Sequence, residues 1–587
     1  MKPCRLASLA LLLSLAPALP ATAQSVGPEI VPDFLATAVE PAAPPLRLAE
    51  ALSPRPETSL RPVEVGAPDA LESLRSWNRA GHLPRRAGVL RTLPSRVQAR
   101  LASSVVPDDL LAPRLGAFSV TASGSRVWGL RVDVEGALRL RLHLTGIDLP
   151  AGSRLWVWAP GEEPHAFGLD LAGPAGDLWT PSVTGGIAFL EVEAPAGPET
   201  ARFLVEEVMQ GVLRVDDNKI GECLIDGTCV NSGTLGVIAD YRKAVGQLAF
   251  VDGGFESLCS GALINDTVTS STIPYLLTAN HCIAAQGVAS SLEVFWDYKT
   301  SSCDGNAPSL GSLPRSNGST LTATGESSDF TLLRLNAIPS GRVLLGWTST
   351  APANGTALYR LSHPAPFDDE YALPQQFSRG TVRTSGVEFC TDAPRPSFLY
   401  SELNQGATFG GSSGSPVILG NGQIVGQLSG GCGPNPDDGC DYDNSEIDGA
   451  FSASYPSLQA FLNPGGGNTG GSCTADADTL CLNGGRFKVE ATYNTGTGQS
   501  GGAKVVKLTD ETGYLWFFSS SNVEAVVKII NGCSLNNRYW VFAGGLTNVR
   551  VVITVTDTKN NTMKTYTNPQ GAPFQPVQDT SAFATCP

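Results

Sequence analysis

The sequence predicts an all-β protein, and two observations support this prediction. Gly contributes 64 and Pro 42 of the 587 residues, a composition that favours turns and short strands over long helices. Apolar and polar residues alternate through 128–134 and 138–144, and 188–193 continues the pattern. Runs of period two that Gly and Pro interrupt are typical of antiparallel sheets. A short helix is expected at 455–462, where apolar residues share one face.

Composition and charge disfavour several classes of protein. Hydrophobic residues make up 42% and charged residues 16%, so the chain can bury cores and is not disordered. Acidic residues outnumber basic residues by 55 to 40, and no nucleic-acid partner is expected, because such a partner requires a basic surface. The sequence has no CxxC pair and no cluster of His, so we expect no metal and no cofactor. We expect a monomer.

The first 23 residues have the organisation of a secretory signal peptide. A basic segment, Met1–Arg5, precedes an apolar run from Leu6 to Pro20. Ala21-Thr22-Ala23 then provides a cleavage site before Gln24. The apolar run is shorter than a membrane-spanning helix. We therefore expect residues 1–23 to be removed and the protein to be secreted, without a membrane anchor.

The distribution of Cys divides the rest of the chain. Apart from Cys4 in the predicted signal peptide, the part before residue 218 contains no Cys, 218–464 contains eight and 473–587 contains four. Each segment can therefore close its own disulfides, and the Cys-free part is one that need not persist outside the cell. The expected units are a loosely structured lead at 24–110, a β-sandwich at 111–217, a crosslinked domain at 218–464, a Gly-rich linker at 465–472 and a small β-sandwich at 473–587.

Two His residues of the crosslinked domain are candidates for the base of a nucleophilic hydrolase. His281 follows the apolar segment 275–280 and precedes Cys282, whose disulfide would hold the backbone of the base in place. His363 has no neighbouring Cys and precedes a Pro, which favours an extended backbone. His281 is the preferred base.

The run Gly-Gly-Ser-Ser-Gly-Ser-Pro at 410–416 is a candidate nucleophile turn. Gly on both sides of Ser413 permits the backbone conformations of a turn that presents Oγ. The N–H groups of Gly411 and Ser413 would stabilise the oxyanion. Asp329, at the start of an apolar strand, is the candidate acid behind the base. His281, Asp329 and Ser413 together, in this order, predict a serine hydrolase.

These segments resemble the chymotrypsin-type serine endopeptidases. Residues 278–282 resemble the T-A-x-H-C motif of that family, 329–333 its D-[IF]-x-L-L and 411–416 its G-x-S-G-x-P. Residues 426–431 resemble the strand that pairs with the substrate backbone, and Ser429 and Gly431 are expected to bind substrate there. The resemblance implies a chymotrypsin-like double β-barrel, a catalytic triad and polypeptide substrates.

The closer resemblance is to bacterial lysyl endopeptidase, and it includes the Cys positions. Six Cys match that subgroup, and the resemblance implies the bonds Cys223–Cys432, Cys229–Cys303 and Cys259–Cys282. Cys390 and Cys440 are left over and would form a fourth bond. The resemblance also implies that residues 24–217 are a propeptide that acts as an intramolecular chaperone and inhibitor.

Two positions depart from the related patterns. Ser412 stands where trypsin-like zymogens carry the Asp that pairs with the new N-terminus, so activation through that salt bridge is excluded. Ser429 stands where lysyl endopeptidases carry His, although the wider family has Ser there. Propeptide removal is therefore expected to unblock a cleft that is already formed.

The expected specificity is for Lys or Arg, which requires a carboxylate at the base of the pocket, because an unpaired buried cation is costly. In trypsin this acid lies six residues before the nucleophile, and Ala407, which is not acidic, occupies that position here. In lysyl endopeptidase the acid lies three residues ahead of a Gly, and Glu446 stands three residues before Gly449. Asp448 is the alternative acid. With such a pocket, the enzyme could cut its own junction after Arg214 or Lys219.

Two other functions remain open at this point. The protease could prefer a P1 residue that is not basic. The chain could also bind glycans or surfaces through its C-terminal unit, although Trp516 and Trp540 are expected to belong to the core of that unit rather than to a ligand platform.

Overall fold

The computed structural model describes residues 24–30, 44–48, 50, 62–66, 70–101, 116–173, 176–197, 201–215, 223–267, 273–365, 371–384, 393–435, 438–463, 473, 475–496, 499–559 and 562–586. The predicted signal peptide at 1–23 and linker at 465–472 lie outside these residues. Among the described helices, none is long and apolar enough to span a membrane. The chain is all-β, as its sequence predicts.

The N-terminal part forms a sandwich of two sheets with leucine and valine side chains between them. One face contributes Leu130 and Val132, the other Leu140, Leu142 and Leu144, all of them buried. Its elements are β1 Ser25–Val26, β2 Glu29–Ile30, β3 Val63–Val65, α1 Leu71–Arg79, β4 Arg85–Leu101, β5 Ala117–Val120, β6 Arg126–Val134, β7 Arg139–Asp148, β8 Arg154–Trp158, β9 His165–Phe167, β10 Leu178–Trp179, β11 Val183–Thr184, β12 Ile187–Ala194, β13 Ala201–Gly211 and β14 Arg214–Val215.

The lead at 24–110 is more structured than the sequence predicted. It contains α1 and the 17-residue strand β4, which pairs with β13 along most of its length. Val89, Val97, Ala99 and Leu101 of β4 are buried in the described structure. The alternation is weak in the sequence because Arg, Pro and Ala interrupt the larger apolar residues of this segment.

The central part of the chain forms two β-barrels of chymotrypsin-like architecture. The first encloses side chains such as Leu248, Leu276 and Trp296, and the second encloses Leu361 and Ile418. Its elements are β15 Ile225–Asp226, α2 Ile238–Ala244, β16 Val245–Asp252, β17 Phe255–Ile264, β18 Tyr275–Thr278, α3 Gln286–Ser290, β19 Glu293–Phe295, β20 Arg315–Asn317, β21 Ser319–Gly325, β22 Phe330–Leu335, β23 Val343–Leu344, β24 Trp347–Thr348, β25 Ala357–Ser362, β26 Tyr371–Ala372, β27 Gln376–Val382, β28 Phe398–Gln405, β29 Pro416–Ile418, β30 Ile424–Cys432, β31 Ser445–Ala450 and α4 Phe451–Leu462.

The sandwich and the first barrel share one continuous sheet. β4 pairs antiparallel with β17, so that Val89 lies opposite Phe255 and Arg85 opposite Leu258. The short strands β1 and β2 pair instead with β24 and β23, beside the second barrel. The N-terminal part therefore contacts the double-barrel domain along two separate edges.

The C-terminal part is a separate pair of five-stranded sheets. Leu515 and Val541 are buried between these sheets, and the neighbouring Trp516 and Trp540 are partly buried, so the expectation that both Trp belong to the core stays a prediction. The elements are β32 Leu480–Leu482, β33 Phe487–Asn494, β34 Ser500–Gly502, β35 Lys504–Lys507, β36 Thr512–Trp516, β37 Ala525–Asn531, α5 Cys533–Asn536, β38 Tyr539–Gly545, β39 Arg550–Asp557, β40 Thr562–Asn568 and β41 Val577–Phe583.

The disulfides of the double-barrel domain differ from the implied set at one Cys. The structure pairs Cys229 with Cys303 and Cys259 with Cys282, but it pairs Cys223 with Cys440 rather than Cys432. Cys432 ends β30, whereas the loop after it brings Cys440 to a Cα–Cα distance of 5.6 Å from Cys223. The Cys390–Cys440 bond is therefore corrected as well. Cys390 lies outside the described residues, and Cys432 is itself disulfide-bonded.

Candidate active site

His281 and Asp329 are held together by the first barrel. β18 ends at Thr278 and delivers His281 to the following turn, beside the Cys259–Cys282 disulfide. Asp329 has a left-handed backbone (φ 47°) just before β22. Its carboxylate accepts hydrogen bonds from His281 Nδ1 at 2.7 Å and from the His281 backbone N–H at 2.9 Å. Within the described structure, His281 Nε2 has no hydrogen-bond partner, which leaves this nitrogen available as a proton acceptor.

Ser413 lies in a tight turn between the two barrels. The backbone N–H of Ser260 in β17 donates to the Ser413 carbonyl at 2.8 Å. Gly414 has φ +78°, and a Cβ at this position would lie 2.1 Å from Thr278 Oγ1 and 2.8 Å from the Ala279 nitrogen. Only Gly fits this contact. The nucleophile turn thus packs directly on the segment that leads to His281.

The same turn presents two backbone donors. Gly411 has φ +94°, and a Cβ on it would lie 2.8 Å from the His363 carbonyl oxygen. The N–H groups of Gly411 and Ser413 donate to no backbone carbonyl of the described residues, whereas those of Ser412, Gly414 and Ser415 all do. Two free N–H groups in one turn are the donors that an oxyanion requires.

The alternative base, His363, is buried in the second barrel. Its ring stacks on Tyr298 with a centroid distance of 5.6 Å. Burial lowers the pKa of His363 to about 3, so the ring is neutral at physiological pH. No carboxylate of the described residues forms an ion pair with it, and its geometry favours a packing role.

Ser429 lies at the triad rather than in the substrate cavity. Its Oγ donates to Asp329 Oδ2 at 2.6 Å, the oxygen that also faces the His281 ring. Gln427 supports the same acid, because its side-chain amide donates to the Asp329 carbonyl at 3.0 Å. The Ser429 side chain thus orients the acid, while the expectation that the backbone of 426–431 pairs with substrate stays a prediction.

A cavity of about 610 Å³ adjoins Ser413, and two acidic residues line it, the partly exposed Asp441 and the buried Glu446. Gly430 and Gly431 form one wall, and Glu446 lies opposite Gly431 in the β30–β31 pair. Thr408 Oγ1 lies 2.9 and 3.0 Å from the two carboxylate oxygens of Glu446. Burial raises the pKa of Glu446 to about 7, and the positive charge of Arg360 offsets only part of that effect.

Asp448 does not line this cavity. It is fully buried and forms an ion pair with Arg360, whose Nε lies 3.3 Å from Asp448 Oδ1. The alternation of side chains along β31 places Glu446 and Asp448 on the same face, but the barrel interior already supplies Asp448 with its own cation. Asp448 therefore already has a structural partner, and Glu446 is the better placed of the two candidate acids.

The N-terminal part covers the cavity. A covering segment, formed by residues 78–81 at the end of α1 and by Leu83 and Arg85 after it, lines the same cavity as Ser413 and Glu446. A Cβ on Gly410 would lie 3.2 Å from Arg85 Cδ and 3.7 Å from Leu83 Cδ2, which shows how closely this segment approaches the nucleophile turn.

Local hydrogen bonds hold the covering segment in shape. The Asn78 side chain bonds the backbone N–H and carbonyl of Arg86, both at 2.9 Å. The Arg86 guanidinium lies 3.8 Å from the Trp77 ring and 3.7 Å from the Phe255 ring of the first barrel. The cover is thereby fixed to the protease domain at β17.

Two family models match this chain. The model described as lysyl endopeptidase, C-terminal domain, matches residues 218–444, and the lysyl endopeptidase N-terminal domain matches 117–207. The chain belongs to the lysyl endopeptidase family. It is a serine endopeptidase, and polypeptides are its substrates.

Two relatives and one solved structure are similar to parts of this chain. The chain is 26% identical over 375 residues to a lysyl endopeptidase of Pseudomonas aeruginosa, covering 59% of this chain and 75% of that protein. It is 32% identical over 184 residues to secreted RxLR effector protein 73 of Plasmopara viticola, covering 30% of this chain and 42% of that protein. A solved structure, the scabies mite inactivated protease paralogue S-I1, matches with 13% identity and a TM-score of 0.28, covering 38% of this chain and 95% of that chain.

Sequence reasoning missed three residues of the site. Thr408 contacts Glu446, Arg360 neutralises Asp448, and Asn78 shapes the cover. Arg360 interrupts the apolar run of β25, and a cation in a buried strand was the available signal for a partner acid. Thr408 and Asn78 carried no such signal.

Proposed function

We propose that this protein is a secreted endopeptidase that cleaves polypeptides after Lys or Arg through an acyl-enzyme at Ser413. The observation that carries the proposal is the buried carboxylate of Glu446 in the cavity that Ser413 also lines. A Lys or Arg side chain entering this cavity would gain the ion pair that its burial requires.

The reaction would follow from the triad geometry. Ser413 Oγ attacks the scissile carbonyl carbon while its proton passes to His281 Nε2. The Gly411 and Ser413 N–H groups stabilise the oxyanion. The C–N bond then breaks as His281 returns the proton to the leaving amine, and water hydrolyses the resulting ester by the same route. Asp329 holds the His281 ring through its 2.7 Å bond to Nδ1.

We also propose that residues 24–217 are a propeptide that inhibits the enzyme by occupying its cleft. Leu83 and Arg85 lie against the nucleophile turn, where a substrate chain would pass. The interface carries charge pairs: Arg139 lies 2.6 Å from Glu256, and Arg141 lies 3.8 Å from Glu293. All four side chains are largely buried. Glu256 is thus paired with a cation of the propeptide, whereas Glu293 lies between Arg141 of the propeptide and Arg315 of the protease domain, which is 3.3 Å away.

The boundary of the propeptide falls near two basic residues. β14, Arg214–Val215, and β26 form a separate parallel two-stranded sheet, and Lys219 lies outside the described residues. A basic pocket would allow the enzyme to cut after either residue without a separate convertase. The N-terminal export signal proposed at 1–23 would supply the oxidising compartment that the disulfides need.

The decisive experiment combines active-site labelling with processing. A fluorophosphonate should label Ser413 in the wild type and abolish cleavage of a peptide library after Lys or Arg. The Ser413→Ala protein should accumulate with residues 24–217 attached, whereas the wild type should begin just after Arg214 or Lys219. Labelling at Ser412 or Ser415, or library cleavage after apolar residues, would contradict the proposal.

A further inference from the structure

The segment Gln24–Ile30 is bound to the protease domain, at a place separate from the cleft. β1 pairs antiparallel with β24, with Ser25 opposite Thr348 and Val26 opposite Trp347. β2 pairs with β23, and Val26 packs against the apolar core of the second barrel. This segment therefore extends the protease sheet by strand addition.

Side chains of the protease domain recognise the start of this segment. The Gln24 backbone N–H donates to Ser349 Oγ at 3.0 Å, and the Ser349 N–H donates to the Gln24 carbonyl at 2.9 Å. The Gln24 side-chain oxygen accepts from Tyr455 and Asn463 at α4.

Two further amides bind the backbone next to it. Asn265 donates to the Gly27 carbonyl at 3.1 Å, and Gln423 donates to the Val26 carbonyl at 3.3 Å. These contacts come from three different parts of the protease domain, which together form a groove shaped for an extended peptide.

Gly346 marks the closest approach of the two backbones. A Cβ at Gly346 would lie 2.3 Å from the Val26 carbonyl oxygen and 2.7 Å from the Gly27 carbonyl carbon. The three atoms nearest to that position all belong to residues 26 and 27, so the space is filled by the N-terminal segment itself. Gly is therefore required at 346 for the groove to be occupied.

We propose that this groove is an exosite that retains the cleaved propeptide by binding residues 24–30. The inference rests on the proposed processing near Arg214 and Lys219. None of the groove residues lines the cavity that holds Ser413 and Glu446, so the groove can stay occupied while the cleft exchanges its contents. A fragment held both at β17 and in the groove rebinds the cleft from a high local concentration. The propeptide thus remains an inhibitor after its covalent link is cut, until the fragment is destroyed or both contacts open.

The first test compares two Gly→Ala variants of the full chain, one on each side of the same contact. Gly346→Ala places a methyl group that clashes with the Val26 carbonyl oxygen, whereas Gly27→Ala places its methyl group where no atom lies within 4 Å. After processing, the rate at which the 24–217 fragment leaves the protease is measured by size-exclusion chromatography and intact mass spectrometry. Gly346→Ala should accelerate this release at least about fivefold, the lower end of what overpacking costs, and Gly27→Ala should leave it unchanged. Equal release rates in the two variants would overturn the proposal.

A second measurement does not depend on processing. In the Ser413→Ala chain, hydrogen exchange at the Ser349 amide reports whether Gln24 occupies the groove. Gly346→Ala should accelerate that exchange and Gly27→Ala should not. Gln24→Ala, which removes the acceptor for Tyr455 and Asn463 without altering the barrel, should also accelerate it. If the Ser349 amide stays protected from exchange in both Gly346→Ala and Gln24→Ala, the proposed groove is refuted. If this amide is protected but the wild-type chain is not cleaved near Arg214 or Lys219, only the proposed processing is refuted.

Discussion

The guanidinium of Arg360 forms a fully buried ion pair with the carboxylate of Asp448 inside the second barrel. This pairing separates two acids that lie only two residues apart in β31. Asp448 has its own cation, while Glu446 has the Thr408 hydroxyl and an open cavity in front of it. This arrangement supports the proposal that Glu446 binds the substrate side chain and that Asp448 has a structural role.

Replacing Asp448 should affect stability more than specificity. Asp448→Asn leaves the Arg360 charge buried without its partner, which costs about 3–5 kcal/mol in comparable buried pairs. Urea unfolding of the Ser413→Ala protein, which cannot digest itself, measures this loss as a lower midpoint. The active Asp448→Asn enzyme should keep the P1 preference of the wild type. A change of P1 preference in this variant would indicate that Asp448 binds substrate.

Replacing Glu446 should affect specificity more than stability. Glu446→Gln keeps the size and the acceptor for Thr408 but removes the charge, so kcat/KM for a Lys substrate should fall about 10²-fold or more, as expected when a buried cation loses its partner. A matched substrate with norleucine at P1 has the same chain length without the charge and should be cut equally well by both enzymes. Equal losses on both substrates would indicate a general defect.

The preference for a Lys substrate over a norleucine substrate should change with pH as Glu446 titrates. Because its pKa is raised to about 7, Glu446 is negatively charged above pH 7 and becomes neutral as the pH falls below 7. The ratio of kcat/KM for Lys and norleucine substrates should therefore fall from pH 8 to pH 6, since kcat/KM reports groups of the free enzyme. Taking the ratio cancels the titration of the catalytic base. In Glu446→Gln the ratio should be flat with pH.

The two His residues of the protease domain provide a matched pair. His281→Ala should lower kcat on the order of 10³-fold or more, because only the oxyanion donors and binding remain. His363→Ala should retain kcat within a few-fold and lose stability, on the order of 3 kcal/mol for the deletion of a buried ring. Peptide hydrolysis and urea unfolding distinguish the two outcomes. An inactive, fully folded His363→Ala enzyme would reverse the assignment of the base.

Non-reducing peptide mapping should find Cys223 linked to Cys440. Since Cys432 is also disulfide-bonded, parity within the protease domain leaves Cys390 as its expected partner. Cys223→Ser should then expose one free thiol at Cys440, which alkylation followed by mass spectrometry detects. Recovery of a Cys223–Cys432 peptide would restore the pairing implied by the family resemblance.

Much of the site could be predicted from the sequence because its parts are local. The strand that ends at His281, the acid that opens β22 and the glycines around Ser413 each depend on a few adjacent residues. Alternating apolar residues likewise predicted an all-β chain, since a period of two is a property of the strand itself. The sequence also limited the acid of the pocket to two candidates in one strand.

Only the tertiary structure decided between candidates that look alike locally. Cys432 ends β30 and Cys440 lies in the loop that follows, and the return of that loop, rather than any motif, selects Cys440 for Cys223. Glu446 and Asp448 share a face of β31, and a cation from another strand selects which of them is free. The covering of the cleft by Leu83 and Arg85 depends on how β4 pairs with β17, far along the chain. Each of these outcomes depends on contacts between segments distant in sequence, and such contacts leave no periodic trace in either segment alone.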